Sequence, residues 1–189
     1  MKSASNSGRL IIISAPSGAG KTSLARALIE RLDERGIRTR FSVSYTTRKP
    51  RPGERDGIDY HFVDQQTFDR MVSEGQFLEH ARVFERCYGT GRRVTEELLG
   101  QGIHVFLDID WQGARQVKAQ MPEALNVFIQ PPSLEELERR LRSRGQDDEA
   151  AIALRMEKAK DELSHADEYD RIIINDDFER ALTELESLF

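Results

Sequence analysis

Short continuous apolar runs alternate along this chain with stretches of helical periodicity. The run Leu10 to Ser14 predicts a buried strand, and Leu24, Leu28 and Leu32 place one apolar stripe on a helix that ends near Gly36. Continuous apolar strands are typical of a parallel sheet that is buried on both faces. Four further runs predict strands: Phe41 to Val43, Ile103 to Ile109, Leu125 to Ile129 and Arg171 to Ile174. The alternation predicts a three-layer α/β fold with a five-stranded parallel core sheet.

Two segments interrupt this alternation. Residues 44 to 93 hold two of the six prolines and three of the four tyrosines, and they predict a small inserted substrate domain of β-structure with one helix near Thr67 to Glu74. The second segment, from about Leu134 to Met156, is rich in arginine and predicts two helices joined by a turn. A Ser-x-x-Glu capping box at Ser133 and Glu136 opens the first of these helices. A last helix is predicted from about residue 177.

Composition narrows the class of protein. The formal net charge of −5 argues against a general nucleic-acid binder, which normally carries a basic balance or a basic face. The single cysteine, Cys87, excludes an internal disulfide and a four-cysteine zinc site. The polar start of the chain leads into an apolar run that is too short for a signal-peptide core or a membrane span. We therefore expect a cytoplasmic protein with no membrane partner.

The segment after the first strand has the composition of a phosphate-binding loop. Its small residues let the backbone aim N–H groups at oxyanions, and the helix N-terminus that follows favours an anion. Lys21 can bridge the β- and γ-phosphates of a nucleotide, and the Thr22 hydroxyl can ligate Mg2+. Ala15 stands where the motif has its first glycine, which we expect to restrict positive φ at the loop entry. The predicted triphosphate-binding residues are Ala15, Pro16, Ser17, Gly18, Ala19, Gly20, Lys21 and Thr22.

A second signature lies at the end of the run Ile103 to Ile109, in the segment FLDIDWQG. Period-two geometry predicts that Asp108 and Asp110 project from the same face of this strand. The carboxyl ends of parallel strands form the ligand crevice in α/β sheets, so we expect both acids beside the phosphate loop. Asp108 has the Walker B pattern and would hold Mg2+ together with Thr22, partly through water.

Several blocks, in order and spacing, resemble the guanylate kinases of bacteria: SAPSGAGKTSL, SVSYTTRKPRPGERDGIDYHFV, FLEHARVF, YGT, FLDIDWQGA, RRLRSRG and INDDF. The similarity runs from about Gly8 to the end of the chain. It implies a P-loop NTPase-type core with an inserted GMP-binding domain and a helical lid. It also implies Mg2+-dependent transfer of a phosphoryl group from ATP to GMP or dGMP. The implied boundaries are 1–40, 94–133 and 157–189 for the core, 41–93 for the GMP-binding subdomain and 134–156 for the lid.

The resemblance assigns the acceptor side of the site. Arginine forks suit phosphate oxygens, and the prolines beside Arg48 and Arg51 restrict the backbone that carries them. Guanine presents donors at N1 and N2, which a carboxylate such as that of Glu79 accepts, whereas AMP would leave such an acceptor unpaired. The GMP-binding residues implied are Ser44, Arg48, Arg51, Tyr60, Glu79, Tyr88, Thr90, Asp108 and Asp110.

The resemblance also assigns the donor side. Catalysis would be positioning and charge neutralisation, because the accepting phosphate oxygen is already ionised near neutral pH. Arg144 would additionally stack on adenine, which Asn175 and Asp176 would border. The catalytic residues implied are Lys21, Arg48, Arg140, Arg144 and Arg155. Homo-oligomerisation is left open.

Two other functions compete with this interpretation. Guanylate-kinase-like domains exist that recruit phosphorylated partners without catalysis, but these typically lose the ATP loop, whereas Lys21, Thr22 and Asp108 are all present here. A P-loop kinase for another nucleoside monophosphate or a small metabolite would be favoured if Glu79 or Asp110 faced solvent.

Overall fold

The computed structural model describes residues 7–83, 85–143, 145 and 148–189. The chain divides into two compact units, Met1–Ile11 with Arg38–Ala124, and Ile12–Ile37 with Leu125–Phe189. The strands of the described residues are β1 (Leu10–Ser14), β2 (Thr39–Phe41), β3 (Tyr45–Thr46), β4 (His61–Phe62), β5 (Phe77–Val83), β6 (Arg86–Gly91), β7 (His104–Asp108), β8 (Leu125–Gln130) and β9 (Arg171–Ile174). The α-helices are α1 (Lys21–Glu34), α2 (Gln65–Ser73), α3 (Arg92–Gly100), α4 (Trp111–Gln120), α5 (Leu134–Ser143), α6 (Glu149–Leu163) and α7 (Phe178–Glu186).

The core sheet has five strands in the order β2-β7-β1-β8-β9. The pairings at its two ends, β2 with β7 and β8 with β9, are parallel. Strands β1, β7 and β8 are the apolar runs of the sequence, and their central residues are fully buried. The predicted α/β fold with a five-stranded core is therefore confirmed.

The first core strand after α1 was predicted at Phe41 to Val43, and that position is wrong by two residues. The strand β2 occupies Thr39–Phe41 and pairs Thr39 with His104 and Phe41 with Phe106. Thr39 is buried although it is polar. Burial in a sheet edge depends on the tertiary pairing, which a search for apolar runs does not detect.

The first unit contains a second sheet, of four strands in the order β4-β3-β6-β5. The helix α2 covers one face of it, where Phe68 and Met71 pack against Phe77 and the partly buried Tyr45. The α2 helix begins two residues before the predicted Thr67, because Asp64 caps it by accepting from the Thr67 amide at 2.7 Å. The subdomain boundaries themselves stay predictions.

In the second unit, α1 packs against α7, and α5 packs against α6. Arg31 donates to Glu179 and Glu186, and Arg35 donates to Glu186 at 2.9 Å, so these ion pairs link the end of α1 to α7. The two predicted helices of the arginine-rich segment are confirmed as α5 and α6, which share an apolar cluster around Leu137. Within the described residues, no helix is long and apolar enough to cross a membrane.

Candidate active site

In the second unit, residues 15–20 form the tight loop that joins β1 to α1. Gly18 and Gly20 have φ values of 98° and 95°, a region that side-chain-bearing residues rarely adopt. Gly20 is the N-cap of α1 and brings no side chain to its amides. The first-turn N–H groups of a helix that lacks a side-chain cap are suited to an oxyanion. The loop therefore has the backbone geometry that a phosphate cradle requires.

Ala15 does not distort this loop. Among the described residues, Glu85 is the one non-glycine residue with a positive φ. Ala15 therefore has an ordinary backbone conformation, and the loop entry does not use the positive φ that alanine disfavours. The loop glycines that do adopt positive φ are Gly18 and Gly20, which lie three residues and one residue before Lys21.

Side chains of α5 and of the residue that follows β9 lie against the loop. The Asn175 side-chain amide is buried and donates to the Ala19 carbonyl oxygen at 2.7 Å. A side chain on Gly20 would collide with this amide, and one on Gly18 would press against Leu137 and Leu141 of α5. Asn175, which the resemblance places beside adenine, thus holds the loop backbone, a contact that the sequence did not predict.

The arginines assigned to the lid have local partners. Arg155 on α6 donates to the Ser17 hydroxyl oxygen at 2.7 Å, so it already contacts the loop. Arg140 donates to Glu136 at 2.9 Å and to the Asn175 carbonyl oxygen at 3.1 Å. Bonds from Arg139 and Arg140 lower the pKa of Glu136 to about 2. Arg144 lies outside the described residues.

Asp176, the other predicted neighbour of adenine, is held at the start of α7. Its carboxylate accepts from the Asp177 amide at 2.7 Å and from Arg180. The Asp177 amide is the main cause of the lowered pKa of Asp176. The structure thus keeps this side chain ionised beside the end of β9.

In the first unit, strand register gathers most of the predicted acceptor-side residues on one sheet face. Glu79 on β5 pairs with Thr90 on β6, and Tyr88 lies two residues before Thr90 on the same face. Thr46 pairs with Tyr88 and with Phe62, and the Tyr60 ring lies 6.1 Å from the Tyr88 ring, so Tyr60 is on that face as well. Ser44 directly precedes β3. The opposite face is the one that α2 covers. The face that carries these polar side chains is therefore the candidate acceptor site.

Glu79 is the most perturbed acid of this face. Its residue is 4% exposed, and Thr90 donates its hydroxyl to the Glu79 carboxylate at 2.5 Å. Burial raises the pKa of Glu79 to about 7, and the negative charge of Asp110 adds to this, while the Thr90 hydrogen bond opposes it. A buried carboxylate that Thr90 holds in place still has lone pairs with which it can accept hydrogen bonds from a ligand.

Arg48 is held by an acid that the sequence did not assign. Its guanidinium binds Glu54 through two bonds, at 2.9 Å and 2.7 Å, and lies 5.2 Å from the centre of the Tyr60 ring. Glu54 also accepts from the Arg51 amide at 2.7 Å. These bonds, that of Arg48 first, lower the pKa of Glu54 to about 2, and they raise the pKa of Arg48. Glu54 is the one acidic residue of the TTRKPRPGE block, and this was the available sequence signal that it pairs with Arg48.

Asp108 and Asp110 do not project from one strand as predicted. The strand β7 ends at Asp108, which is exposed, whereas Asp110 is the N-cap of α4 and accepts from the Gly113 amide at 2.9 Å. The apolar Ile109 after the strand made the run seem longer than it is. Aspartate is a preferred N-cap residue, so its side chain turns to the helix instead of continuing the strand pattern.

The phosphate-binding loop defines the class of protein. A glycine-rich loop that ends in a Lys-Thr pair joins strand β1 to helix α1. This arrangement is characteristic of P-loop nucleotide-binding proteins. The comparisons with known proteins then identify the group within that class: the family model for guanylate kinase matches residues 7–189, and the chain belongs to the guanylate kinase family.

Individual relatives agree with this family. The chain is 56% identical over 181 residues to a guanylate kinase of Vibrio cholerae, covering 96% of this chain and 86% of that protein. It is 58% identical to a guanylate kinase of Chromohalobacter salexigens, covering 96% and 82% of the two chains. A crystal structure of guanylate kinase from Anaplasma phagocytophilum superposes with a TM-score of 0.74 at 36% identity, covering 96% and 84%.

Proposed function

We propose that this chain phosphorylates GMP, and dGMP less well, with ATP as the phosphoryl donor. The observation that carries the proposal is the buried Glu79 carboxylate on a polar sheet face, in a chain whose phosphate loop is complete. Solvent-exposed Glu79 would have favoured a kinase for another acceptor. Membership of the guanylate kinase family supports the same substrates.

In the proposed reaction, a phosphate oxygen of GMP attacks the γ-phosphorus of ATP. The bond between that phosphorus and the β,γ-bridging oxygen breaks, so that GDP and ADP form. The attacking oxygen is already ionised, and no general base is required. Lys21 at the start of α1 would neutralise charge on the donor phosphates, and Arg155, which contacts Ser17, would add a second positive charge at the loop.

Arg48 would bind the acceptor phosphate. Its pair with Glu54 leaves the guanidinium held in one orientation, and a guanidinium has donors enough to bind a carboxylate and a phosphate together. Tyr60 lies against Arg48, and Tyr88 lies on the same face as Glu79. Arg51, Tyr60 and Tyr88 would complete the phosphate site.

Guanine would bind to the ionised form of Glu79. N1–H and the N2 amino group of guanine are donors, whereas the corresponding edge of adenine presents an acceptor at N1. Because Glu79 is buried, an unpaired acceptor there is costly, which favours GMP over AMP. Ser44 and Thr90 would add hydroxyl contacts to the base.

Mg2+ would accompany ATP. It prefers oxygen ligands and is normally bound through substrate phosphates and one or two protein oxygens. The Thr22 hydroxyl and the Asp108 carboxylate are exposed oxygens of that kind, and each is chemically suited to be a ligand of the ion. When bound, the ion would offset the negative charge of the triphosphate. Within the part of the chain that the structure describes, no group of three or more His, Cys, Asp or Glu residues could form a metal site without substrate.

A panel of acceptors tests the proposal. Purified protein is given Mg-ATP and GMP, dGMP, AMP, CMP or UMP, and ADP release is measured. We expect turnover with GMP and weaker turnover with dGMP. No turnover with any acceptor would refute the enzymatic function and leave the binding module, whereas faster turnover with AMP than with GMP would refute the role of Glu79.

A further inference from the structure

At the outer edge of β5, side chains of α4 form the backbone hydrogen bonds that a neighbouring strand would otherwise form. This strand is the last of its sheet, and Glu79 lies near its beginning. Gln116 on α4 accepts from the His80 amide at 3.1 Å and donates to the His80 carbonyl oxygen at 3.0 Å. Gln120, one turn further along α4, donates to the Leu78 carbonyl oxygen at 2.5 Å. The residues on both sides of Glu79 are thus fixed to one helix.

A glycine completes this helix face. Gly113 lies three residues before Gln116 and seven before Gln120, so the three residues share one side of α4. A Cβ atom at Gly113 would come within 2.9 Å of the Glu79 carboxylate oxygen and within 3.3 Å of Ile109. The Glu79 carboxylate can therefore approach the helix backbone only because residue 113 has no side chain.

We propose that Gly113, Gln116 and Gln120, called here the α4 ladder, are positioning residues that set the Glu79 carboxylate for the guanine edge. The inference rests on the proposed function. Gln116 and Gln120 fix the backbone of β5, and Gly113 leaves the space that the Glu79 side chain occupies. The ladder acts on the acceptor through Glu79 and contacts no reacting atom.

Two features indicate that the α4 ladder positions the Glu79 carboxylate and does not merely pack against β5. Each glutamine bonds to the backbone directly next to Glu79, where a shift of the strand moves the carboxylate with it. Arg92 also donates to Gln120 and to the Phe77 carbonyl oxygen, so the amide of Gln120 has a fixed orientation. Recognition by paired donors and acceptors tolerates little displacement, whereas apolar packing adapts more easily.

The variants are Gln116→Leu, Gln120→Leu and Gly113→Ala. Leucine keeps the size and the helix propensity of glutamine but loses its amide. Gln101→Leu, at an exposed position just after α3, is the matched control. Gly113→Ala separates the positioning effect from a loss of folding. Alanine has a higher helix propensity than glycine, but its side chain would crowd Glu79. For each variant, KM and kcat are measured for GMP with ATP saturating and for ATP with GMP saturating.

We expect each glutamine variant, through its lost hydrogen bonds, and Gly113→Ala, through its crowding of Glu79, to raise KM for GMP about tenfold. KM for ATP and kcat should stay unchanged. In a Glu79→Gln background, ladder variants should change KM for GMP no further.

Three results are decisive against the ladder. Equal rises in both KM values, an unchanged KM for GMP, or an undiminished effect in the Glu79→Gln background would each overturn the positioning role. A wild-type protein that fails to phosphorylate GMP would instead refute the proposed function, so the two failures are distinguishable.

Discussion

Replacing Glu79 by glutamine should stabilise the free protein in alkaline solution while it impairs GMP phosphorylation. Burial raises the pKa of Glu79 from its ordinary value of 4.5 to about 7. Between these two values the unfolded chain releases the proton while the folded chain keeps it, so stability falls as pH rises through this range. The difference corresponds to about 3 kcal/mol above pH 7. Glutamine does not titrate and escapes this loss.

The assay is urea unfolding of wild type and Glu79→Gln at pH 5 and pH 8. We expect the free energy of unfolding of Glu79→Gln, relative to wild type, to increase by about 2 kcal/mol or more between these pH values. Glu123→Gln, at an exposed position, is the control and should follow wild type. Parallel pH dependences of wild type and Glu79→Gln would refute the inference that Glu79 is desolvated.

The same titration should appear in GMP binding. Since only the ionised carboxylate accepts from guanine, the apparent Kd for GMP should rise about tenfold between pH 8 and pH 6. The phosphate of GMP also titrates near pH 6, and Glu79→Gln isolates that contribution because it lacks the carboxyl. A pH dependence that is identical in the two proteins would contradict the role of Glu79 in base recognition.

Three further predictions concern the phosphate contacts. Lys21→Met should abolish phosphoryl transfer yet leave GMP affinity within about twofold, because Lys21 serves the donor phosphates; loss of GMP binding in a titration would contradict this. Glu54→Gln should raise KM for GMP about tenfold with KM for ATP unchanged, because Arg48 loses its bidentate partner; equal effects on both substrates would argue for general unfolding. Gly20→Ala should lose about 1–3 kcal/mol of stability and raise KM for ATP, whereas Ala15→Gly should leave ATP kinetics within about twofold; equal behaviour of the two variants would refute the assignment of strain.

The sequence was sufficient to predict the parts of the fold and of the site that nearby residues determine. The segment Leu10 to Thr22 combines a buried strand, a glycine loop and a helix start, and each part is determined by nearby residues. Strands β7 and β8 were found because burial on both faces leaves an apolar run. Strand β9 was found from its three consecutive isoleucines, although Ile173 is buried and Ile172 and Ile174 are exposed. Strand β2 was displaced because its first two residues are polar.

Contacts that depend on tertiary pairing were not predicted. Asn175 contacts the loop because β9 ends beside it, 156 positions further along the chain. The bonds of Gln116 and Gln120 require both the sheet order and the docking of α4. Nothing in the sequence around a helical glutamine indicates which strand its side chain will bond.

The α4 ladder also bears on solubility. A seven-residue edge strand such as β5, FLEHARV, has a row of backbone groups that can pair with a strand of another molecule. Gln116 and Gln120 occupy these groups at Leu78 and His80 with amides that imitate a neighbouring strand. Variants that lose both amides should therefore form intermolecular β-structure on concentration, and variants of α4 made for other purposes need to keep them.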